Sequence, residues 1–390
     1  METVWQVSVW VFASLLIYTY IGYPFLVFLL GQGRSWVGRH FGKRASGKHK
    51  AKTDLPTLSF LIPAYNEERV IRQKIENTLD LDYPRDKLRI VVVSDGSTDQ
   101  TNAMLKSYGE EEISFIPIHK RRGKVNVLNQ VIPQLTGDLV VLSDASGMLA
   151  PNALKNLVKC FRNPQVGCVS GVYRFDTDDE TLRSTTEKIY WRYETFLKKH
   201  ESKAHSAIGA HGALYGFRRE LFRPLHSRAI NDDFILPMEI IRQGFRVLYE
   251  PSAIVVENET TSLQGEFQRR IRINVGNFQQ LFMLKGLLSP KRGLAALEFF
   301  SHKCLRALSP FLVLFLLIST YFAPGEIYTL MLKLQVLFYL IGAIGYVQEY
   351  FGLRNRLLYL PFYFLMANLS GIFGFFRFVM GKQSILWKRV

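Results

Sequence analysis

Two kinds of hydrophobic patterning divide the chain. Apolar residues run almost unbroken at both ends, whereas between about Leu55 and Leu284 short apolar runs alternate with amphipathic ones. In that middle region LSFLIPA (58–64), LRIVVVSDGS (88–97), EISFIPI (112–118) and DLVVLSD (138–144) have the length and β-branching of buried strands. NEERVIRQKIENTLDL (66–81) reads as a helix with Asn66 as N-cap and Glu67 and Glu68 in its first turn, and VNVLNQVIPQL (125–135) as a second. Alternating strands and helices predict an α/β domain of right-handed βαβ units, its sheet mostly parallel and covered on both faces. No internal repeat or low-complexity tract interrupts it.

The apolar ends read as membrane segments. Val7–Leu30 is a stretch of 24 uncharged residues, long enough to span a hydrocarbon core. It lacks the basic leader and small-residue cleavage site of a signal peptide. Arg34–Lys52 follows with seven Lys or Arg and no acid, the signature of a cytoplasmic flank. Three further spans are expected at Leu308–Ala323, Ile327–Val347 and Leu357–Met380. Before them, Lys291, Arg292, Lys303 and Arg306 interleave with apolar residues, as in a helix lying in the interface. The resulting plan is a transmembrane segment (1–33), a basic cytoplasmic linker (34–54), the α/β domain (55–285), an interfacial helix (286–307) and C-terminal transmembrane segments (308–390). Three passes from the cytoplasm would leave the C-terminus outside, yet Lys382, Lys388 and Arg389 favour the inside; Pro361, Asn368, Gly371 and Gly374 make the last segment a candidate for a broken or re-entrant one.

Composition narrows the function. The net charge of +16 is concentrated beside apolar segments, so it points to anionic lipid and not to nucleic acid. Cys160, Cys168 and Cys304 have no metal-ligand spacing and are expected as free thiols.

Polar groups recur at the predicted strand ends: Tyr65 and Glu67 after the first, Asp95 after the second and Asp144 after the fourth. In open α/β sheets the crevice beyond the carboxyl ends of the strands binds ligands. Acids gathered there need a cation between them, and a divalent ion carrying a diphosphate meets that need. Lys120, Arg121, Arg122 and Lys124 surround Gly123 just before a helix, a composition suited to phosphate.

Seven motifs in order, IPAYNEE, VVVSDGSTD, RRGKVNVLN, LSDAS, GALYGFRREL, INDDFILPMEIIRQGFRV and FQRRIRINVGNFQQL, give this region a chain order that resembles the family 2 glycosyltransferases, the inverting GT-A enzymes that include cellulose, chitin and hyaluronan synthases. The resemblance implies a GT-A catalytic domain in which Pro63, Tyr65, Glu67, Asp95, Arg122 and Lys124 bind the nucleotide and its diphosphate. It implies that Asp144 ligates Mg²⁺ or Mn²⁺ as the first acid of a DxD motif, that Asp233 is the base with Asp232 as its neighbouring alternative, and that Arg269, Arg272, Gly212 and Tyr215 serve the diphosphate and acceptor side. His211 is expected as a polar pocket wall. Two departures stand out: Ser146 replaces the second acid of DxD, and RxxRI (Arg269, Arg272, Ile273) replaces QxxRW, removing a tryptophan from the acceptor end.

These readings lead to the expectation of a multi-pass plasma-membrane enzyme with a cytoplasmic catalytic domain. It would transfer a sugar from a nucleotide sugar, UDP-linked by the resemblance, to a lipid-linked or polysaccharide acceptor at the bilayer, as a homo-oligomer or with other envelope-biosynthesis proteins. A processive synthase coupled to export and a non-catalytic nucleotide-sugar sensor are the alternatives.

Overall fold

The computed structural model describes residues 2–40, 54–175, 182–257, 263–351, 353 and 355–386. Most of the basic linker, and Lys388 and Arg389 at the far end, lie outside the described residues. Strands β1 (Leu58–Ala64), β2 (Leu88–Asp95), β3 (Ser114–Ile118), β4 (Leu139–Leu142), β5 (Met148–Leu149), β6 (Val166–Phe175), β7 (Tyr215–Arg218) and β8 (Arg246–Glu257) form one sheet in the order β3-β2-β1-β4-β7-β6-β8-β5. The four apolar runs read from the sequence are β1 to β4, and these pair in parallel. The sheet as a whole is mixed, because β7 runs antiparallel to both β4 and β6, and β5 antiparallel to β8. With only four residues, β7 is too short to show a period in the sequence.

Helices α3 (Ile71–Leu79), α4 (Thr101–Leu105), α5 (Lys124–Val131), α6 (Ala153–Lys159) and α8 (Asp232–Arg242) cover the sheet, with the long α7 (Leu182–Ala204) across one end. Two apolar layers result. Val91, Val93, Leu128 and Phe217 belong to one, and Phe60, Ile62, Ile75 and Leu154 to the other. The register of β1 against β4 ends at Leu61–Leu142, so Ser143 and Asp144 leave the sheet there. Pro63 lies buried beyond that point, where β1 keeps its pairing with β2 only. Losing a donor costs least beside an open strand edge.

The expected N-cap is corrected. Helix α3 begins at Ile71 after Val70, and Asn66 instead adopts a left-handed conformation (φ 54°). Its Oδ1 accepts the Thr98 amide at 2.8 Å, while Oε2 of Glu68 accepts the Gln100 amide at 3.0 Å, lacing the β1 loop to the β2 loop. Asparagine tolerates this conformation and bridges backbone groups, so the residue that looked like a cap is a loop-to-loop tie.

At the N-terminus, α1 (Glu2–Ile17) passes through a π-turn at Tyr18–Gly22 into α2 (Tyr23–His40). Buried Tyr23 and Val27 of α2 pack with Leu197 and Ala204 of α7. The chain leaves the domain through α9 (Leu263–Met283), short 3₁₀ turns and α10 (Leu294–Phe299), and a second π-turn joins α10 to α11 (Leu305–Phe322). Helices α12 (Glu326–Tyr350) and α13 (Arg356–Val379) follow. Among the described residues, four helical stretches are long and apolar enough to cross a membrane: Glu2–Trp36, Leu294–Phe322, Glu326–Tyr350 and Leu357–Val379. Helix α1 runs antiparallel to α11, with Trp5 stacked on Phe322 at 5.0 Å and the Tyr18 hydroxyl 2.9 Å from Ser301. Helix α13 lies alongside α9, through Arg270–Tyr363, Asn274–Ser370 and Phe282–Phe378. Beyond α13 the chain returns to the α/β domain, where the Ile385 carbonyl and Leu386 side chain border Gly123.

Candidate active site

The end of β4 opens into a cavity. Asp144 follows the strand, and its turn is fastened from behind by Lys74, whose ammonium donates to Ser143 Oγ at 2.7 Å and to the Gly147 carbonyl. Lys74 is fully buried, and burial lowers its pKa to about 7 against the opposing pull of Asp144 and Glu257. Sequence reasoning missed this residue. The signal was present: Lys74 stands at an apolar-face position of α3 with Ile71, Ile75 and Thr78.

Asp144 Oδ1 accepts from Lys124 Nζ at 2.8 Å, and the same ammonium lies 3.4 Å from Asp232 Oδ2. Asp232 is buried and also accepts from the Tyr215 hydroxyl at 3.3 Å. Tyr215 is itself fully buried, so it backs the acids without lining the cavity. Asp233, the next residue, is half-buried and opens to the cavity. Burial and the charge of Asp232 push its pKa up to about 6, with Asp144 adding to the rise and Lys124 opposing it.

Two glycines make these approaches possible. A Cβ on Gly212 would lie 3.1 Å from Asp144 Oδ2, a tight approach, and 3.4 Å from Asp233 Oδ2, an ordinary contact, so a side chain here would press on the first carboxylate and touch the second. A Cβ on Gly276 of α9 would lie 2.5 Å from the Asn231 side chain. Asn231 donates to the Ile273 carbonyl at 3.2 Å, and Gln279 accepts the Ile230 amide at 3.1 Å. Helix α9 thus docks the segment immediately before Asp232 and Asp233. Neither acid caps α8, whose N-cap is Asn231.

The expected nucleotide residues gather beside this centre. Asp95 is buried, and its two oxygens accept the amides of Arg122 and Gly123 at 2.7 and 2.8 Å. Those amides are therefore already occupied; the group that the basic loop turns toward Asp144 is the Lys124 ammonium. Gly123 sits at φ 89°, where a left-handed backbone favours glycine. The Arg121 guanidinium stacks 3.5 Å from the centre of the Tyr65 ring. The Glu67 amide donates to Thr101 Oγ1 at 2.8 Å, and exposed Arg122 donates to Gln130 at 3.0 Å.

The two motif arginines separate. Arg272 feels the charges of Asp232, Asp233 and Asp144, and its buried Nε has no hydrogen bond among the described residues. Arg269 bonds Glu266 at 2.8 Å and lines the cavity. That cavity, about 430 Å³, runs from Asp144 and Asp233 to Arg306 and Ser309 of α11 and Asn368 of α13. Trp191 of α7 forms part of its wall, with Tyr173 at 4.8 Å and His211 at 4.9 Å between ring centres. Trp191 was missed because it comes from an element distant in sequence from every motif. Burial lowers the His211 pKa to about 3, so it is a neutral wall residue. A wider depression of about 920 Å³ lies at the opposite ends of β1 to β3, lined by Arg85, Lys87 and Glu112 and by none of the strand-end carboxylates.

Asp144, Ser146 and Glu257 offer oxygen donors at this turn, which suits Mg²⁺ or Mn²⁺. Ser146 hydrogen-bonds Glu257 at the end of β8, so a second acid reaches this turn from another strand. Among the described residues no group of three or more His, Cys, Asp or Glu forms a metal cage. The residues fit an ion held by one or two carboxylates and completed by phosphate oxygens and water.

The fold and site define a GT-A glycosyltransferase. The chain belongs to glycosyltransferase family 2: the family described as "Glycosyltransferase like family 2" matches residues 56–276. It is similar to the probable glycosyltransferase YdaM of Bacillus subtilis, 29% identical over 247 residues, covering 60% of this chain and 58% of that protein. It is also 26% identical over 233 residues to the poly-beta-1,6-N-acetyl-D-glucosamine synthase of Staphylococcus aureus, covering 58% of this chain and 56% of the synthase. The matches thus span a little over half the length of these curated relatives. The solved mannosyltransferase PcManGT from Pyrobaculum calidifontis, in complex with GDP-Man and Mn²⁺, shares the fold with a TM-score of 0.69 and 23% identity, covering 96% of this chain and 100% of that one.

Proposed function

We propose that this enzyme is a membrane-anchored, inverting glycosyltransferase that moves a sugar from a nucleotide-diphosphate donor to a hydroxyl acceptor at the bilayer. The observation that carries the reading is the placement of Asp233 beside Asp144 across Gly212, at the mouth of a cavity that continues to α11 and α13. Asp233 takes the proton of the acceptor hydroxyl as its oxygen attacks the anomeric carbon; the bond to the diphosphate breaks, and its electron pair leaves with the nucleotide. A pKa of about 6 keeps this carboxylate ionised at neutral pH yet basic enough to accept a proton. Lys124 and Arg272 stand where charge builds on the departing diphosphate. Asp144, with Glu257 behind Ser146, would hold a divalent ion, whose chemistry is to neutralise that leaving charge. The Mn²⁺ and GDP-mannose of the archaeal neighbour support a metal and a nucleotide sugar, with the base and sugar open to test.

Helices α1, α11 and α12 serve as crossings, and α13 rests on α9 at the interface, so the catalytic domain and C-terminal tail share the cytoplasmic side of the plasma membrane. The outward apolar face of α12 supports this, with Leu330, Leu334, Leu337, Leu340 and Ile344 all more than half exposed. Acceptors are lipid-linked or the end of a glycan, with homo-oligomers or other envelope-biosynthesis proteins as partners.

Nucleotide release by the protein in lipid nanodiscs, across UDP- and GDP-sugars with Mn²⁺, Mg²⁺ or EDTA, tests the reading. Metal-dependent release from one donor, with donor affinity lowered by Asp144→Asn, is expected. Absence of both binding and release across the panel would overturn it. The Staphylococcus aureus relative favours a second reading, a processive synthase. Long products from single binding events would establish that form, and short ones the addition of one or a few sugars.

A further inference from the structure

Five basic residues, Lys198, Arg269, Arg270, Lys303 and Arg306, line the cavity on its way from Asp233 toward the apolar helices. Four are engaged by the chain. Arg306 pairs with Glu194, Arg269 and Arg270 pair with Glu266, and Lys198 donates to the carbonyls of Ile208 and Gly209 at 2.9 Å each. Lys303 differs. Among the described residues its ammonium makes neither a hydrogen bond nor an ion pair, and it rests 5.1 Å from the centre of the Phe234 ring. An ammonium withdrawn from water toward a bilayer is costly until an anion meets it. The acids whose charges reach it are already held, Glu194 by Arg306 and His302 and Glu201 by His302 and Tyr23. Phe234 follows Asp233 directly, so the open ammonium and the base flank the same stretch of cavity.

Resting on the glycosyl-transfer reading above, we infer that the acceptor is a lipid-anchored phosphate ester or diphosphate bearing a free hydroxyl, with Lys303 binding its phosphate while Asp233 meets the hydroxyl. The apolar helices then face the lipid chain, and Asn274, Asn277 and Asn368 give the cavity lining polar character. The transfer leaves the phosphate unchanged: the acceptor C–O–H loses its proton to Asp233, a new glycosidic C–O bond forms, and the nucleoside diphosphate departs.

Two anionic probes separate the sources of such a phosphate: a prenyl-diphosphate-linked N-acetylglucosamine and phosphatidylglycerol. A neutral glucosyl-diacylglycerol is the control. Native mass spectrometry of the full-length protein should show retention of at least one anionic probe over the neutral one. Lys303→Met should weaken that retention about tenfold, the loss of one charge-assisted contact, and Lys303→Arg should restore it. With the retained probe as acceptor, Lys303→Met should raise its KM with kcat little changed. Equal retention of all three probes, or anionic retention indifferent to Lys303→Met in a variant of parental Tm, would overturn the inference. Nucleotide release by the parent protein without acceptor reports donor chemistry separately. Its persistence beside equal probe retention would sink the acceptor assignment alone, whereas its absence from every donor together with a lack of donor binding would sink the transferase reading on which the assignment rests.

Discussion

Asp144 and Asp233 reach toward the same point, the place where Gly212 would carry a Cβ, at 3.1 and 3.4 Å. One acid comes from the end of β4 and the other from the first turn of α8, and the glycine lies against both. No positive φ is recorded for Gly212, so alanine is compatible with its backbone. Gly212→Ala is therefore expected to leave the Tm unchanged and to lower kcat/KM by about tenfold or more, the cost of displacing reacting groups by a fraction of an ångström. Parental kinetics would show that the two acids act independently.

The base assignment has a pH signature. With its pKa raised to about 6, Asp233 takes up a proton as pH falls through that value and can no longer accept one from the hydroxyl. The rate on kcat/KM should fall tenfold per pH unit below about 6 and level off above it. Asp233→Asn should abolish this limb and lower kcat by about 10²- to 10⁴-fold while donor affinity is largely retained. Asp232 is bonded to Tyr215 and lies beside Lys124, so Asp232→Asn should act chiefly on the alignment of those groups and keep the acidic limb, displaced to lower pH by the loss of its charge.

Much of this site was legible because strand-end chemistry is local. Asp95 and Asp144 terminate apolar runs that could only be buried strands, and the basic loop announced itself as Lys and Arg around a glycine. What stayed hidden was pairing across distance. That Asp95 spends both oxygens on the Arg122 and Gly123 amides, or that Glu257 arrives beside Ser146 from β8, depends on the order of strands in the sheet, which no local pattern encodes. The antiparallel β7 was equally silent. At the membrane end, charge had posed a conflict about the C-terminus; the structure adds that α13 packs along α9, with Asn274 bonded to Ser370, on a helix that hydropathy alone scores as a span.

Lys74 offers a test of how the Asp144 turn is held. Lys74→Met leaves the Gly147 carbonyl without this donor, at an expected cost of about 1–3 kcal/mol. The pH dependence carries a distinct sign. In the folded protein Lys74 releases its proton above about 7, whereas an unfolded chain holds it to above 10. The unfolded state therefore binds more protons in that window, and this group makes stability rise with pH from about 7 to 10. Unfolding followed across that range should show the rise in the parent and lose it in Lys74→Met. An unaltered profile would mean that the ammonium is not held as the structure shows it.

The cavity also replaces something the motif lacks. Ile273 stands where the resembling synthases carry the tryptophan of QxxRW, yet Trp191 lines the same cavity from α7, flanked by Tyr173 and His211. A flat indole beside neutral His211 gives a sugar ring a face to rest on without a competing charge. Trp191→Ala should raise acceptor KM about tenfold with donor KM unchanged, and Trp191→Phe should recover part of the loss. If Trp191→Ala instead raised donor KM, the aromatic wall would belong to the nucleotide-sugar half of the site. Because α7 also packs on α2 through Leu197 and Tyr23, the element that carries this ring is braced by the N-terminal helix pair. A platform role for Trp191 would thus put the sugar-facing surface on α7, where the synthase motif puts it on α9.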